Sequence, residues 1–254
     1  MSDNIIKYLD NKYLKNKFFQ KTVSSHWLNY NNRYFQKKNS DFHRYLSGRI
    51  CTFNIKNNKN LLYSYPLSIY LYYLMFKYKI DKKNIKTLLS LSNNLKIYPS
   101  FDQYKLLIII EKINMHIDLG KVKSFGIIGD GYGFLGALLN KLYPESNIVF
   151  INIGENLLLD YFYFNKINNE KKILIKNMNF DKQSNFYFIE SDNYKLIQNL
   201  EIDFFFNIAS MQEMNNETIR NYFNYIRNNK NDYQYFYCCN RNEKLLPDGE
   251  IINF

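Results

Sequence analysis

One short window of the sequence holds most of the residues that could bind a cofactor. Five of the nine glycines lie in the eleven residues from Gly126 to Gly136, within SFGIIGDGYGFLGALL. An apolar run precedes this turn, and a second apolar run follows it. Glycine lets the backbone turn sharply and lets a ligand come close to the chain. The window therefore predicts a strand, a ligand-binding loop and a helix, with a ligand of the nucleotide type.

The loop fits two cofactor motifs. Gly131, Gly133 and Gly136 match G-x-G-x-x-G, the dinucleotide fingerprint. Gly129, Gly131 and Gly133 match G-x-G-x-G, the loop of S-adenosylmethionine (SAM) methyltransferases. A turn that only packs tightly is a third interpretation. The cofactor-binding candidates in this loop are Gly129, Asp130, Gly131, Tyr132 and Gly133.

From Lys121 onward, short apolar runs alternate with runs of helical periodicity. The strand candidates are continuously apolar, as expected for parallel strands covered by helices on both faces. We predict an α/β fold with a doubly wound, mostly parallel Rossmann-like sheet at 121–254, preceded by a helical N-terminal region at 1–120. The strand candidates are SFGIIG, NIVFINI, NFYFIE, DFFFNIA and YQYFYCC. In ETIRNYFNYIRN, one apolar face is formed by Ile219, Tyr222, Phe223 and Ile226.

Ligands of such sheets bind at the carboxyl ends of the strands. Those ends add Asn152, Ile153, Ser191 and Asn207 to the cofactor-binding candidates. Asn152 stands where a carboxylate ordinarily holds ribose hydroxyls, and a neutral amide holds them more weakly. We therefore expect Asn152→Asp to tighten SAM binding by about 1 kcal/mol, or about fivefold.

The last third of the chain carries a set of spaced motifs. DFFFNIASMQEMNNETIRNYFNYI followed by YFYCCNRNEKLLPDG resembles the sugar O-methyltransferase family of class I SAM methyltransferases. The resemblance covers residues 97–254 and includes the glycine loop. It implies that SAM is the cofactor and that a sugar hydroxyl of a glycan or its precursor is methylated. The matching residues are Asn207, Ser210 to Met214, Tyr222, Phe223 and Cys239 to Arg241.

Methylation of a sugar hydroxyl needs help from a base, because a hydroxyl is a poor nucleophile. Glu213, just beyond the fourth strand candidate, is the expected catalytic residue. We expect the acceptor to contact Gln212, Asn240 and Arg241, with residues 1–120 forming its side of the crevice. His26 is interpreted as a packing residue. No cluster of His, Cys, Asp and Glu has metal-ligand spacing, so no metal is expected.

Two alternatives remain open. Ile127 and Asn152 stand where these enzymes usually carry acids, which favours a catalytically degenerate methyltransferase-like binding module. The family tends to continue past the Asn-Arg motif, so we expect a C-terminally shortened sheet. An NAD-type oxidoreductase is the other alternative, based on the G-x-G-x-x-G match.

Composition limits the partners. The chain has 254 residues, 46% of them apolar, and a net charge of +11, but its lysines are scattered, so a nucleic-acid partner is not expected. The most apolar stretch, PLSIYLYYLMF, is too short to span a bilayer. The charged N-terminus predicts no secretory signal and a cytoplasmic location.

Overall fold

The structure is a computed structural model. It describes residues 24–27, 54–55, 69–70, 72–94, 97–98, 101–131, 133–153, 156–157, 160–161, 164, 173–174, 185–229, 231 and 233–254. Most of the predicted N-terminal region therefore lies outside the described residues.

A parallel sheet forms the centre of the fold. Its order is Ile173–Leu174, β3, β2, β1, β4 and β5, and every neighbouring pair is parallel. The order reverses at β1, which lies between β2 and β4. This reversal opens a crevice at the carboxyl ends of the strands, where such sheets bind ligands. The labelled strands are β1 (Ser124–Ile128), β2 (Asn147–Asn152), β3 (Phe186–Glu190), β4 (Phe204–Ile208) and β5 (Tyr235–Cys239).

Four described helices have bounds that matter for the site: α1 (Lys82–Asn94), α2 (Phe101–Asn114), α3 (Phe134–Leu142) and α4 (Asn216–Arg227). The first three pack on one face of the sheet, and α4 packs on the other together with the 3₁₀ segment Ser191–Asn199. The predicted doubly wound α/β fold is thus confirmed. Because α1 and α2 share the core of the sheet, the chain before residue 121 contributes directly to this domain.

Burial explains why the strands are continuously apolar. All five residues of β1 are buried, and so are the first four of β3 and of β4. Side chains alternate between faces, so that Phe204 and Phe206 face α1–α3 while Phe205 faces α4. Aromatic rings fill the first face, and the rings of Phe150 and Phe188 stack with centroids 4.7 Å apart.

The amphipathic pattern of α4 is also confirmed. Ile219, Tyr222 and Ile226 are buried, and Phe223 packs against the same cluster. The helix begins after Asn215, whose side chain accepts a hydrogen bond from the Thr218 amide. Such a cap satisfies an amide that has no partner inside the helix.

Two small antiparallel pairs complete the described elements. The hairpin β6 (Glu243–Leu245) and β7 (Ile251–Asn253) follows β5, and Asn54–Ile55 pairs with Ile97–Tyr98. Within the described ranges, no helix combines the length and the apolarity that crossing a bilayer requires.

Candidate functional site

The loop between β1 and α3 has the backbone that its glycines predict. Gly129, Gly131 and Gly133 have φ angles of +75°, +84° and +68°, a region that residues with a side chain rarely adopt. Apart from its chain neighbours, no atom of the described residues would lie within 4 Å of a Cβ on Gly131, so these residues leave the space beside it open. A Cβ on Gly133 would lie 2.7 Å from the Asp160 carbonyl oxygen. Tyr132, the remaining loop candidate, lies outside the described residues.

Asp130 occupies the start of α3. Its two carboxylate oxygens accept hydrogen bonds from the amides of Leu135, at 3.1 Å, and Gly136, at 2.9 Å. Burial raises the pKa of Asp130 to about 6, and these two amides act in the opposite direction. In dinucleotide-binding folds the amides at this position receive a pyrophosphate. Here the chain supplies its own anion to them.

The carboxyl end of β2 holds a buried polar pair. The Asn152 amide nitrogen donates to Oδ2 of Asp160 at 2.9 Å, and its oxygen accepts from the Ile153 amide at 2.9 Å. Asp160 is fully buried, and burial followed by the charge of Asp130 raises its pKa well above the usual value. Within the described part of the chain, its Oδ1 has no hydrogen-bond partner.

Sequence reasoning missed Asp160. It lies in the apolar stretch NLLLDYFYF, where an isolated acid could have signalled a buried carboxyl. The expectation for Asn152→Asp changes as a result, because the new carboxylate would face Asp160 rather than an empty space. Ile127 is buried in the core, so β1 presents no carboxylate at its expected position.

Asn207 joins the ends of three strands. Its Nδ2 donates to the Ile128 carbonyl at 3.0 Å and to Ser210 Oγ at 3.1 Å. Its Oδ1 accepts from the Met211 amide at 3.2 Å and from Asn240 Nδ2 at 2.8 Å. These four bonds use the full capacity of the side chain. Asn207 therefore holds the floor of the crevice, and direct cofactor contact by its side chain would require one bond to break.

Ser191 lies at the carboxyl end of β3, and two strands, β2 and β1, separate that strand from the strand of Asn207. Its side chain is buried, and its hydroxyl oxygen has no hydrogen-bond partner among the described residues. Ile153 is half-buried just after β2, the strand next to β3. The ends of β2 and β3 thus line one side of the crevice.

The acceptor candidates connect β4 to β5. The Gln212 amide donates to Asn240 Oδ1 at 3.1 Å, and the Gln212 side-chain oxygen accepts from the Arg241 amide at 2.9 Å. Gln212 is buried, whereas Arg241 is exposed. Gln212 and Asn240 thus hold the ends of β4 and β5 together, and the Arg241 side chain is exposed to solvent.

Glu213 lies in a cluster that the sequence did not reveal. Its Oε1 is 3.0 Å from Lys244 Nζ and 3.6 Å from His26 Nε2. Ser24 Oγ donates a hydrogen bond to the Glu213 carbonyl oxygen. All three charged or titratable side chains are less than one-third exposed, at 20%, 17% and 28%.

The electrostatics of this cluster centre on the imidazole. Burial lowers the pKa of His26; the Glu213 carboxylate opposes that effect, and the Lys244 ammonium adds to it. The net effect is a pKa of His26 below its usual value, which favours the neutral imidazole. The sequence predicted a packing role for His26 and did not indicate that its imidazole lies 3.6 Å from Glu213 in the folded chain.

Ser210 connects the cluster to the glycine loop. A Cβ added to Gly129 would overlap the Ser210 hydroxyl, and the Glu213 amide donates to the Ser210 carbonyl at 3.0 Å. The cluster and the loop thus flank the same crevice. Among the described residues, no group of three or more His, Cys, Asp or Glu side chains could hold a metal ion.

Comparisons with protein-family models, with curated proteins and with solved structures find no match to this chain.

Proposed function

We propose that this protein is a SAM-dependent O-methyltransferase that acts on a sugar hydroxyl of a glycan or its precursor. One observation carries the choice of cofactor. Asp130 already binds the amides at the start of α3, while the described residues leave the space beside Gly131 open. A pyrophosphate would compete with that carboxylate for the same amides, but a nucleoside without phosphates would not.

The chain's own residues fit a sulfonium nucleoside. The backbone from Gly129 to Gly133 would hold its amino-acid portion, and the ends of β2 and β3 would hold the adenosine, with Ser191 Oγ among the available hydrogen-bonding groups. When bound, SAM supplies a methyl carbon to the acceptor oxygen, and the electron pair of the broken carbon–sulfur bond stays on sulfur. The sugar class comes from the motif resemblance in residues 97–254. The acceptor would lie on the side of Gln212, Glu213 and Arg241.

A catalytically degenerate binding module is the second candidate. The observation that favours it is the absence of a presented carboxylate at either expected place. Ile127 is buried in the core, and Asn152 is hydrogen-bonded to Asp160. Such a module would bind SAM or a related nucleoside without transferring a methyl group.

Titration calorimetry with SAM, S-adenosylhomocysteine and NAD tests the proposal. We expect S-adenosylhomocysteine to bind and NAD to bind at least tenfold more weakly. Binding of NAD in preference to SAM would refute the proposal and favour an oxidoreductase. Binding of S-adenosylhomocysteine, followed by no methyl transfer from labelled SAM to a panel of p-nitrophenyl glycosides, would favour the degenerate module.

A further inference from the structure

Three segments that are far apart in the sequence meet beside the crevice. They contribute His26, Glu213 and Lys244, and the Glu213 carboxylate oxygen Oε1 is the common neighbour. Glu213 lies in the 3₁₀ turn Met211–Glu213, directly after β4, and Lys244 lies in β6. The cluster thus faces the end of the sheet at which parallel α/β folds bind their ligands.

The geometry divides the roles within the cluster. Glu213 Oε1 is already engaged by the Lys244 ammonium at 3.0 Å and approached by His26 Nε2 at 3.6 Å. A carboxylate shared in this way orients its partners more readily than it accepts a proton. In the neutral tautomer that carries its proton on Nε2, the nitrogen 3.6 Å from Glu213 Oε1, the basic lone pair of the imidazole is on Nδ1. The rings of His26 and Trp27 also pack edge to face, with centroids 5.5 Å apart, and this contact further restricts the orientation of the imidazole.

We propose that His26 is the general base that accepts the proton of the sugar hydroxyl, and that Glu213 and Lys244 are positioning residues that hold it. The inference rests on the proposed methyltransferase function. The proton moves to Nδ1 of His26, and the imidazolium that forms is stabilised by the nearby Glu213 carboxylate. This arrangement replaces the sequence-based expectation that Glu213 itself is the base.

The lowered pKa of His26 agrees with this role, which rests on the geometry of the cluster. The described groups that act on the imidazole are Glu213, which raises its pKa, and Lys244, which lowers it; burial lowers it further. The base is then in its proton-accepting form at neutral pH. We expect the transfer rate to rise as the pH passes upward through a value below 6.5 and to be level at pH 7 and above.

The first test is an NMR titration of the imidazoles in the full chain without ligand. Glu213→Gln should move the pKa of His26 further down, and Lys244→Met should move it up, because the two partners act in opposite directions. The resonance of His116 serves as an internal reference. If neither substitution changed the pKa of His26, the proposed coupling within the cluster would be refuted.

The second test compares binding with transfer. His26→Ala should leave the dissociation constant of S-adenosylhomocysteine within about twofold, while methyl transfer from labelled SAM to p-nitrophenyl glycosides at pH 7.5 falls by about 100-fold or more. His116→Ala, at an exposed position after α2, is the matched control and should change neither quantity. His26→Gln should behave as His26→Ala does while keeping a polar side chain in place.

The outcomes separate the two proposals. Failure of the wild-type protein to bind S-adenosylhomocysteine would refute the proposed function, whatever the NMR titration shows. Binding with normal transfer in His26→Ala would refute the role of His26 and leave the methyltransferase proposal intact. Binding by the wild type without transfer to any glycoside would count against the acceptor class and against His26 as its base.

Discussion

Substitution of Gly131 gives the sharpest test of the cofactor loop. Its φ angle is +84°, and a Cβ would meet no atom of the described residues within 4 Å beyond its chain neighbours. Gly131→Ala therefore costs only the backbone strain of an L-residue in this conformation, about 1–2 kcal/mol. For a domain of this size each kcal/mol lowers the melting temperature by about 2–4 °C. We expect the alanine variant to fold, with a melting temperature lower by about 2–8 °C.

The effect on binding should be larger than the effect on folding. A methyl group at Gly131 projects into the open space that the cofactor would use, and overpacking typically costs about 1–3 kcal/mol. S-adenosylhomocysteine should therefore bind about 5- to 150-fold more weakly to Gly131→Ala. Gly131→Val should abolish binding, because a branched side chain fills more of the space and is strongly disfavoured at positive φ.

Gly129→Ala is the matched control. Its φ angle of +75° imposes similar backbone strain, but the added Cβ would overlap the Ser210 hydroxyl. Displacing the turn after β4 should add about 1–3 kcal/mol to the loss of stability. Differential scanning fluorimetry and calorimetry with S-adenosylhomocysteine measure both quantities. Unchanged affinity in a folded Gly131→Val variant would refute the reasoning, because the loop would then be a structural turn only.

Three further predictions concern carboxyl groups. Asn152→Asp should lower the free energy of unfolding at pH 7.5 by about 1–3 kcal/mol, because Asp160 loses the Asn152 donor and faces a second acid. Urea denaturation should show a smaller loss of stability at pH 5. A variant more stable than the wild type at pH 7.5 would contradict this prediction. Asp203→Ala should cost about 1–3 kcal/mol by fluorimetry, because the Lys123 and Ser124 amides lose their acceptor, with no change in S-adenosylhomocysteine affinity. Burial raises the pKa of Asp130 from 3.8 to about 6, so between pH 7 and pH 5 the folded chain binds a proton that the unfolded chain does not yet bind. The contribution of Asp130 to the free energy of unfolding therefore increases as the pH falls over that range. Asp130→Asn should lack that gain in urea denaturation at the two pH values, and an equal pH response in both proteins would argue against it.

Local patterns predicted the fold well because they have local causes. The continuous apolar runs of β1, β3 and β4 require cover on both faces, and the spacing of Ile219, Tyr222 and Ile226 requires one buried helix face. The glycine loop was predicted for the same reason, since positive φ angles restrict the residue type at each position.

The site could be predicted only in part, because several of its contacts depend on tertiary structure. Asp160 is a partner of Asn152 because the helical residues after β2 lie over the strand end, and the sequence alone does not show this contact. Lys244 is one of many lysines in the sequence, and nothing local distinguishes it. Asn207 was placed at the correct strand end, but its four internal hydrogen bonds could not be inferred from its neighbours in the chain.

The contact between Ser24 and Glu213 has a consequence for biosynthesis. It joins residues 189 positions apart, and His26 also depends on Lys244 through the same carboxylate. Closing so long a loop costs conformational entropy, which the contacts of the folded sheet must offset. A ribosome makes His26 early and Lys244 late, so a growing chain holds the imidazole without its orienting partners. Only after β6 has emerged and docked can the three side chains meet, and partial translation products should be unable to assemble this cluster.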